Sequence, residues 1–107
     1  MASPDRSPDD GVDTVLEDEP DVALARRYRV VFYNDHYTTK WFVVHVLQMF
    51  FHMDETAATA LMMAVHEHGS GVAGVYTRDI AETKVAHVTD YARENEMPLK
   101  VTAEPDD

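Results

Sequence analysis

The sequence YRVVFYNDHYTTKWFVVHVLQMFF, residues 28–51, contains a strand, a turn and a helix in succession. Its first six residues are β-branched or aromatic with one exception, which is typical of a β-strand. The turn-forming pair Asn34-Asp35 ends that strand. Either Thr38 or Thr39 can cap the helix that we predict over residues 40–51.

This first helix has a wide apolar surface. Four of its side chains recur at helical spacing and form one stripe, namely Val43, Val46, Leu47 and Phe50. Trp41 and Phe51 add apolar surface beyond the stripe. We therefore expect the helix to pack against neighbours on two sides.

A second helix and a second strand follow. Asp54 can cap the helix, and Gly69 is a typical residue just past a helix C-terminus. Four residues between them share an apolar face, namely Ala58, Leu61, Met62 and Val65. Residues 72–76 come after a glycine-rich turn, and we predict a short strand there.

A third helix and a third strand complete the chain. Asp79 and Glu82 have the spacing of a capping box at the start of the helix, which we expect to end near Asn95. Pro98 prevents its continuation, and residues 99–102 have the composition of a last strand. The order βααβαβ predicts an α+β fold, a small sandwich in which a three-stranded antiparallel sheet has three helices on one face.

Acidic residues are concentrated near the N-terminus. Residues 1–27 hold eight acidic residues, three arginines and three of the five prolines. Their few apolar side chains cannot bury enough surface to offset the entropy of ordering, so we predict a disordered extension. Residues 28–104 form the folded domain, and we expect residues 105–107 to be a frayed tail.

The composition excludes several classes of function. A formal net charge of −11 argues against binding to nucleic acid or to an anionic membrane surface. The sequence has no cysteine, which excludes thiol catalysis and cysteine-based zinc sites. His66 and His68 lie two residues apart on a helix and point in different directions, so we expect no metal site. A cytoplasmic monomer without a cofactor is the simplest expectation.

Polar residues flank one apolar helix face. They are Asn34, Asp35 and Thr38 after the first strand, and His66 at the end of the second helix. If the two helices pack as a hairpin, these groups border an apolar cleft that contains Met62 and Val65. Such a cleft suits an amphipathic ligand with an ammonium group.

Five short segments carry a family pattern. They are YNDHYT at 33–38, VLQMFF at 46–51, LMMAVH at 61–66, AETKV at 81–85 and YARENEMPL at 91–99. These segments resemble those of ClpS, the bacterial adaptor of the ATP-dependent Clp protease. The resemblance covers about residues 28–104, whereas residues 1–27 match the family only as a variable extension.

The resemblance implies an adaptor that is not an enzyme. The family binds proteins with an N-terminal Leu, Phe, Tyr or Trp (N-degrons) and delivers them to a ClpA-type AAA+ unfoldase, which feeds the ClpP peptidase. By position, the resemblance assigns the substrate's α-amino group to Asn34, Asp35 and His66. It assigns the pocket for the first side chain to Thr38, Val43, Met62, Val65 and Leu99. It assigns docking on the unfoldase N-domain to Thr77, Glu82 and Lys84.

Two sites depart from the family pattern. His36 stands where the family usually has a second acid, and Thr39-Lys40 stands where many relatives have Pro-Met. We place these three residues at the rim of the pocket. Loss of the second carboxylate weakens the negative field around the ammonium site, and Lys40 is expected to change the preference among bulky N-terminal residues.

Two other functions fit the same sequence. In the ClpS family the extension slows the unfoldase on other substrates, so one alternative is a regulator that mainly inhibits or redirects the unfoldase and has a degenerate pocket. The other is an interaction module that has a docking face but no ammonium site. Deletion of residues 1–27 distinguishes an adaptor, which still binds peptides, from a regulator, which loses its effect.

Overall fold

A computed structural model describes residues 26–106 of the chain. The elements are β1 (Arg27–Tyr33), α1 (Lys40–Phe51), α2 (Glu55–His68), β2 (Ser70–Thr77), α3 (Arg78–Glu94) and β3 (Lys100–Pro105). The predicted βααβαβ order and the α+β class are confirmed. The predicted extension at 1–27 lies outside the described residues except for Arg26 and Arg27, and Arg27 already belongs to β1. Within residues 26–106 no helix is both long enough and apolar enough to cross a membrane.

Strand β1 is the centre of the sheet. It pairs antiparallel with β2 on one side and with β3 on the other, which gives the order β2-β1-β3. A β-bulge interrupts the β1–β2 register between Val30 and Val31. At the end of β1, Tyr33 is opposite Ser70, so the turn after β1 lies beside the end of α2.

The core lies between the sheet and the helices. Its largest fully buried side chains are Phe32, Phe42, Leu47, Val30, Val46 and Val88. Helix α1 packs against α2, and its Phe42 and Phe50 also contact Tyr91 of α3, with ring centroids 5.6 and 5.5 Å apart respectively. The predicted contact on two sides is therefore present. Trp41 has no part in it, because its side chain is 69% exposed and stacks on His45.

Capping side chains set the helix boundaries that the sequence predicts best. The Thr39 hydroxyl accepts a hydrogen bond from the Phe42 amide at 3.1 Å, so the second of the two candidate threonines caps α1. Asp54 caps α2 through the Ala57 amide at 2.8 Å. Gly69 ends α2 with a φ of 93°, a left-handed conformation that favours glycine.

The predicted start of α3 is wrong. The cap residue is Thr77, the helix begins at Arg78, and no side chain completes a capping box. Asp79 instead lies within the first turn, where its negative charge interacts favourably with the positive end of the helix dipole. Because Thr77 also pairs with Arg27 in the sheet, strand pairing sets this boundary.

The last strand is longer than predicted. It runs over Lys100–Pro105, and the Asp106 amide donates to the Arg27 carbonyl at 2.9 Å. The expected fraying at 105 and 106 is therefore wrong. The Tyr33 and Thr102 hydroxyls donate to the Glu104 carboxylate and hold its pKa below the ordinary value.

Candidate functional site

One backbone hydrogen bond joins the two halves of the site. The Asn34 amide, directly after β1, donates to the Gly69 carbonyl at 2.9 Å, directly after α2. His66 lies in the last turn of α2, three residues before Gly69. The bond therefore brings Asn34 close to His66, although 32 positions of sequence separate them.

The Asp35 carboxylate organises the turn between β1 and α1. One of its oxygens accepts from the Tyr37 amide at 2.8 Å and the Thr38 amide at 2.7 Å, and the other accepts from the Thr38 hydroxyl at 2.7 Å. Burial raises the pKa of Asp35, but these hydrogen bonds from Thr38 and Tyr37 outweigh it and leave the pKa below the ordinary value. The turn therefore carries a carboxylate that is ionised at neutral pH.

A cavity of about 250 Å³ opens between this turn and helices α1 and α2. It is lined by Asn34, Asp35, His36, Thr38, Lys40, Val43, Met62, Val65 and His66. Three buried side chains, Val43, Met62 and Val65, form what we call the cavity floor. Five polar residues, Asn34, Asp35, His36, Lys40 and His66, form the cavity mouth, and all but the half-buried Asp35 are exposed.

Nine of the eleven residues that the sequence assigns to the substrate site line this cavity. The two others do not. Leu99 is buried in the core, as Val43, Met62 and Val65 are, but it is not among the residues that line the cavity, so its place in the pocket stays a prediction. Thr39 is outside the lining because its side chain caps α1.

Sequence reasoning missed the glycines that position the cavity. Gly69 supplies the carbonyl that holds Asn34. A Cβ atom on Gly71 would lie 2.9 Å from the Val65 side chain and 3.0 Å from that of Leu61, so glycine lets β2 approach α2 closely. The glycine-rich turn was the signal in the sequence, but its contacts require the fold.

The predicted docking residues lie at the start of α3 and in its first half. Glu82 is exposed and pairs with Arg78 at 3.1 Å, whereas Thr77 borders a depression near Tyr28. Lys84 is half-buried: its ammonium donates to the Phe50 carbonyl at 2.7 Å and lies over the Phe51 and Tyr76 rings. Lys84 therefore connects α3 to α1, and it also borders a shallow groove with Ile80 and His87.

The cavity mouth offers acceptors for a cation. Within residues 26–106, the side chains of Asn34 and His66 make no hydrogen bond, so both remain available to a ligand. A neutral imidazole and an amide oxygen both accept hydrogen bonds from an ammonium group, and Asp35 adds negative charge. No three histidine, aspartate or glutamate side chains converge on a metal position in the part of the chain that the structure describes.

Comparison with known proteins assigns the family. A family model described as ATP-dependent Clp protease adaptor protein ClpS matches residues 23–102. The chain belongs to the ClpS family. Because ClpS proteins are adaptors of the Clp protease rather than catalysts, the prediction of a non-enzymatic protein is confirmed.

Individual ClpS proteins are similar over most of the chain. The ClpS adapter of Rhodospirillum centenum is 44% identical over 108 residues, which cover 99% of this chain and 100% of that protein. The ClpS adapter of Myxococcus xanthus is 52% identical over 80 residues, 75% of each chain. A solved structure, Agrobacterium tumefaciens ClpS2 bound to L-phenylalaninamide, has a TM-score of 0.75 and 43% identity and covers 77% of this chain and 99% of that one.

Proposed function

We propose that this protein binds other proteins by a bulky apolar N-terminal residue (Leu, Phe, Tyr or Trp) and delivers them to a ClpA-type AAA+ unfoldase for degradation by ClpP. In this proposal Asn34, Asp35 and His66 hold the substrate's α-ammonium group. Thr38, Val43, Met62 and Val65 surround its first side chain. The protein has no need of a cofactor for this role, because recognition requires only complementary contacts.

The observation that carries the proposal is the division of one small cavity into an apolar floor and a polar mouth. Its volume is below the roughly 300–1,000 Å³ of sites for drug-sized ligands, which fits a single side chain. L-Phenylalaninamide, the ligand of the similar ClpS2, has a free α-amino group, a phenyl ring and an amide in place of the peptide bond. Chemically it is an N-terminal phenylalanine without the following chain.

Two energetic contributions make the selection. Burial of a Leu or Phe side chain contributes about 1.5–3 kcal/mol, which is the same for an internal residue and a terminal one. Hydrogen bonds to the ammonium contribute about 1.5–3 kcal/mol each, and only a free N-terminus provides that group. Together they support dissociation constants of about 1 μM, which allows the substrate to be released.

We propose that the unfoldase contacts the exposed part of α3 and the end of β2 that precedes it. Glu82 and the outer surface around Thr77 are exposed there, and the Ile80 side chain is half accessible. Lys84 contributes where it borders the groove with Ile80. We propose that a monomer presents this surface to the unfoldase N-domain while the separate cavity between the β1–α1 turn, α1 and α2 holds the substrate.

Fluorescence anisotropy with a labelled peptide that begins with Phe tests the proposal. The control is the same peptide with an acetylated N-terminus, which keeps the side chain and removes the ammonium. We expect the free peptide to bind in the micromolar range and the acetylated one to bind at least tenfold more weakly. Equal binding of both peptides would contradict the proposal and make the cavity a general apolar groove.

A matched pair of histidine variants tests the assigned residues. His66→Ala removes an acceptor at the cavity mouth, whereas His68→Ala changes an exposed histidine on the same helix that is outside the cavity lining. We expect the first variant to bind the free peptide about tenfold more weakly and the second to bind it as the unchanged protein does. Loss of binding in both variants would indicate damage to α2 instead.

A further inference from the structure

The cavity mouth contains a cation that the fold does not use. The sequence has three lysines. Lys84 donates to the Phe50 carbonyl, and Lys100 lies over the Tyr33 ring. Lys40 is exposed, lines the cavity and makes no hydrogen bond, ion pair or ring contact within residues 26–106.

No carboxylate of the site neutralises Lys40. Asp35 is the one acid among the lining residues, and its oxygens face the Tyr37 and Thr38 donors rather than the lysine. The next residue, which also lines the cavity, is His36 and adds no second carboxylate. When a substrate binds, its own ammonium neutralises Asp35, so the charge of Lys40 remains unbalanced in the complex.

The second residue of a substrate must pass this lysine. The first residue has its ammonium at Asn34, Asp35 and His66 and its side chain on the cavity floor, so its carbonyl group can leave only through the mouth. Consecutive Cα atoms are about 3.8 Å apart, which places the second residue at the mouth itself. There the flexible stem of Lys40 allows its ammonium to reach a charged side chain on the second residue of the substrate.

We propose that Lys40 selects the second residue of the substrate and favours Asp or Glu over Lys or Arg at that position. This inference rests on the proposed function, because it presupposes that the cavity holds the first residue. The ligand class that follows is an N-terminal dipeptide with a bulky apolar residue and then an acidic one. Exposed ion pairs are weak, so the expected preference is modest.

Competition with unlabelled peptides that differ only at the second residue tests the inference. At low ionic strength we expect a peptide beginning Phe-Glu to bind about two- to fivefold more tightly than one beginning Phe-Ala, and one beginning Phe-Lys to bind correspondingly more weakly. Added salt should reduce the differences, because it screens exposed charges.

Two substitutions at the lysine and one control assign the effect. Lys40→Met keeps an unbranched stem and should make the three peptides bind alike, whereas Lys40→Glu should reverse their order. Arg78→Gln removes a positive charge beside Tyr28, near the start of β1, whereas the cavity lies beyond the other end of this strand. The strand is about 20 Å long, so this variant should leave the order of the three peptides unchanged. A preference for Phe-Glu that persists in Lys40→Met would overturn the inference.

The inference and the proposed function fail differently. If all three peptides bind the unchanged protein equally and still require a free N-terminus, selection by Lys40 is overturned and the proposed function stands. If no free Phe peptide binds, the proposed function is overturned and the inference falls with it.

Discussion

The Asp35 carboxylate both closes a turn and supplies negative charge at the cavity mouth. Two substitutions separate these roles. Asp35→Asn keeps an acceptor oxygen for the Tyr37 and Thr38 amides but removes the charge, so we expect a stability loss below about 1 kcal/mol and roughly tenfold weaker binding of a Phe peptide. Asp35→Ala should bind the peptide as weakly and should in addition lower the unfolding free energy by about 1–2 kcal/mol, because it leaves those amides without an acceptor. Peptide titrations and urea unfolding measure both, and equal stability of the two variants would contradict the turn-closing role.

The lowered pKa of Asp35 predicts how stability depends on pH. Because the folded protein favours the ionised carboxylate, its contribution is complete above the ordinary value of 3.8 and is lost as the pH falls through the lower folded value. The difference in unfolding free energy between the unchanged protein and Asp35→Asn should therefore be constant above about pH 5 and shrink below it. Glu104, whose pKa is also lowered, is present in both proteins and cancels in the difference. A difference that is independent of pH down to acid unfolding would contradict the assignment.

Two neighbouring glycines allow a controlled test of the cavity wall. Gly71→Ala places a Cβ 2.9 Å from Val65, a residue of the cavity floor, so we expect a stability loss of about 1–3 kcal/mol and a narrower cavity that binds Phe peptides more weakly. Gly69→Ala puts alanine at a φ of 93° with nothing within 4 Å, so it should lose about 1–2 kcal/mol from backbone strain alone. Calorimetry and peptide titration compare the two. Weaker peptide binding in Gly69→Ala alone would contradict this account of the wall.

At the scale of elements, Lys84 links α3 to the end of α1 through a hydrogen bond. Its ammonium satisfies the Phe50 carbonyl, one of the acceptors that the last turn of a helix leaves unpaired. We expect Lys84→Met to lower the unfolding free energy by about 1–2 kcal/mol, because it removes a charged hydrogen bond and two ring contacts. The control is Glu82→Gln, which breaks an exposed pair with Arg78 and should change stability by less than about 0.5 kcal/mol.

The same pair of variants separates stability from docking. If Lys84 acts mainly through α1, the Lys84→Met variant at a temperature where it is fully folded should still bind the unfoldase N-domain, whereas Glu82→Gln should bind it more weakly. Unchanged stability together with lost docking would show that the Lys84 ammonium serves the partner rather than Phe50. Titration calorimetry with the isolated N-domain and urea unfolding of each variant provide the two measurements.

Element boundaries were predictable where the deciding residues are neighbours in sequence. Thr39 and Asp54 cap helices three residues away, so their sequence signals are local. The start of α3 and the end of β3 are set by β1, since Arg27 pairs with Thr77 and Tyr28 pairs with Pro105. This long-range pairing overrides the local capping pattern at the start of α3, and it orders residues near the C-terminus that would otherwise be expected to fray.

The site shows the same division between local and long-range information. Periodicity alone placed Met62, Val65 and His66 on one helix, and the turn residues suggested a polar border. Their convergence depends on the bond from Asn34 to Gly69, which no local pattern encodes. Assignment of roles came from the family resemblance, because a buried residue such as Leu99 has the same sequence signature whether it fills the core or lines a pocket.

At the scale of the whole molecule, the cavity and the acidic extension can be tested separately, the cavity for peptide binding and the extension for its effect on the unfoldase. Residues 1–25 lie outside the described residues and hold eight acidic residues and one arginine. Their composition offers little apolar surface to bury, so we expect their deletion to change the unfolding free energy by less than about 0.5 kcal/mol and to leave the affinity for a Phe peptide within twofold.

Deletion of residues 1–25 and Asn34→Ala together distinguish an adaptor from a regulator. In a reconstituted degradation assay, the adaptor proposal predicts that Asn34→Ala abolishes delivery of Phe-tagged substrates while any inhibition of untagged substrates persists. It also predicts that the deletion relieves that inhibition while peptide binding by the cavity persists. A regulator with a degenerate cavity predicts instead that Asn34→Ala changes nothing and that the deletion removes every effect on the unfoldase. The adaptor proposal therefore requires two separable losses, one for each variant, because it assigns the amide at the cavity mouth to the substrate and the charged extension to the unfoldase.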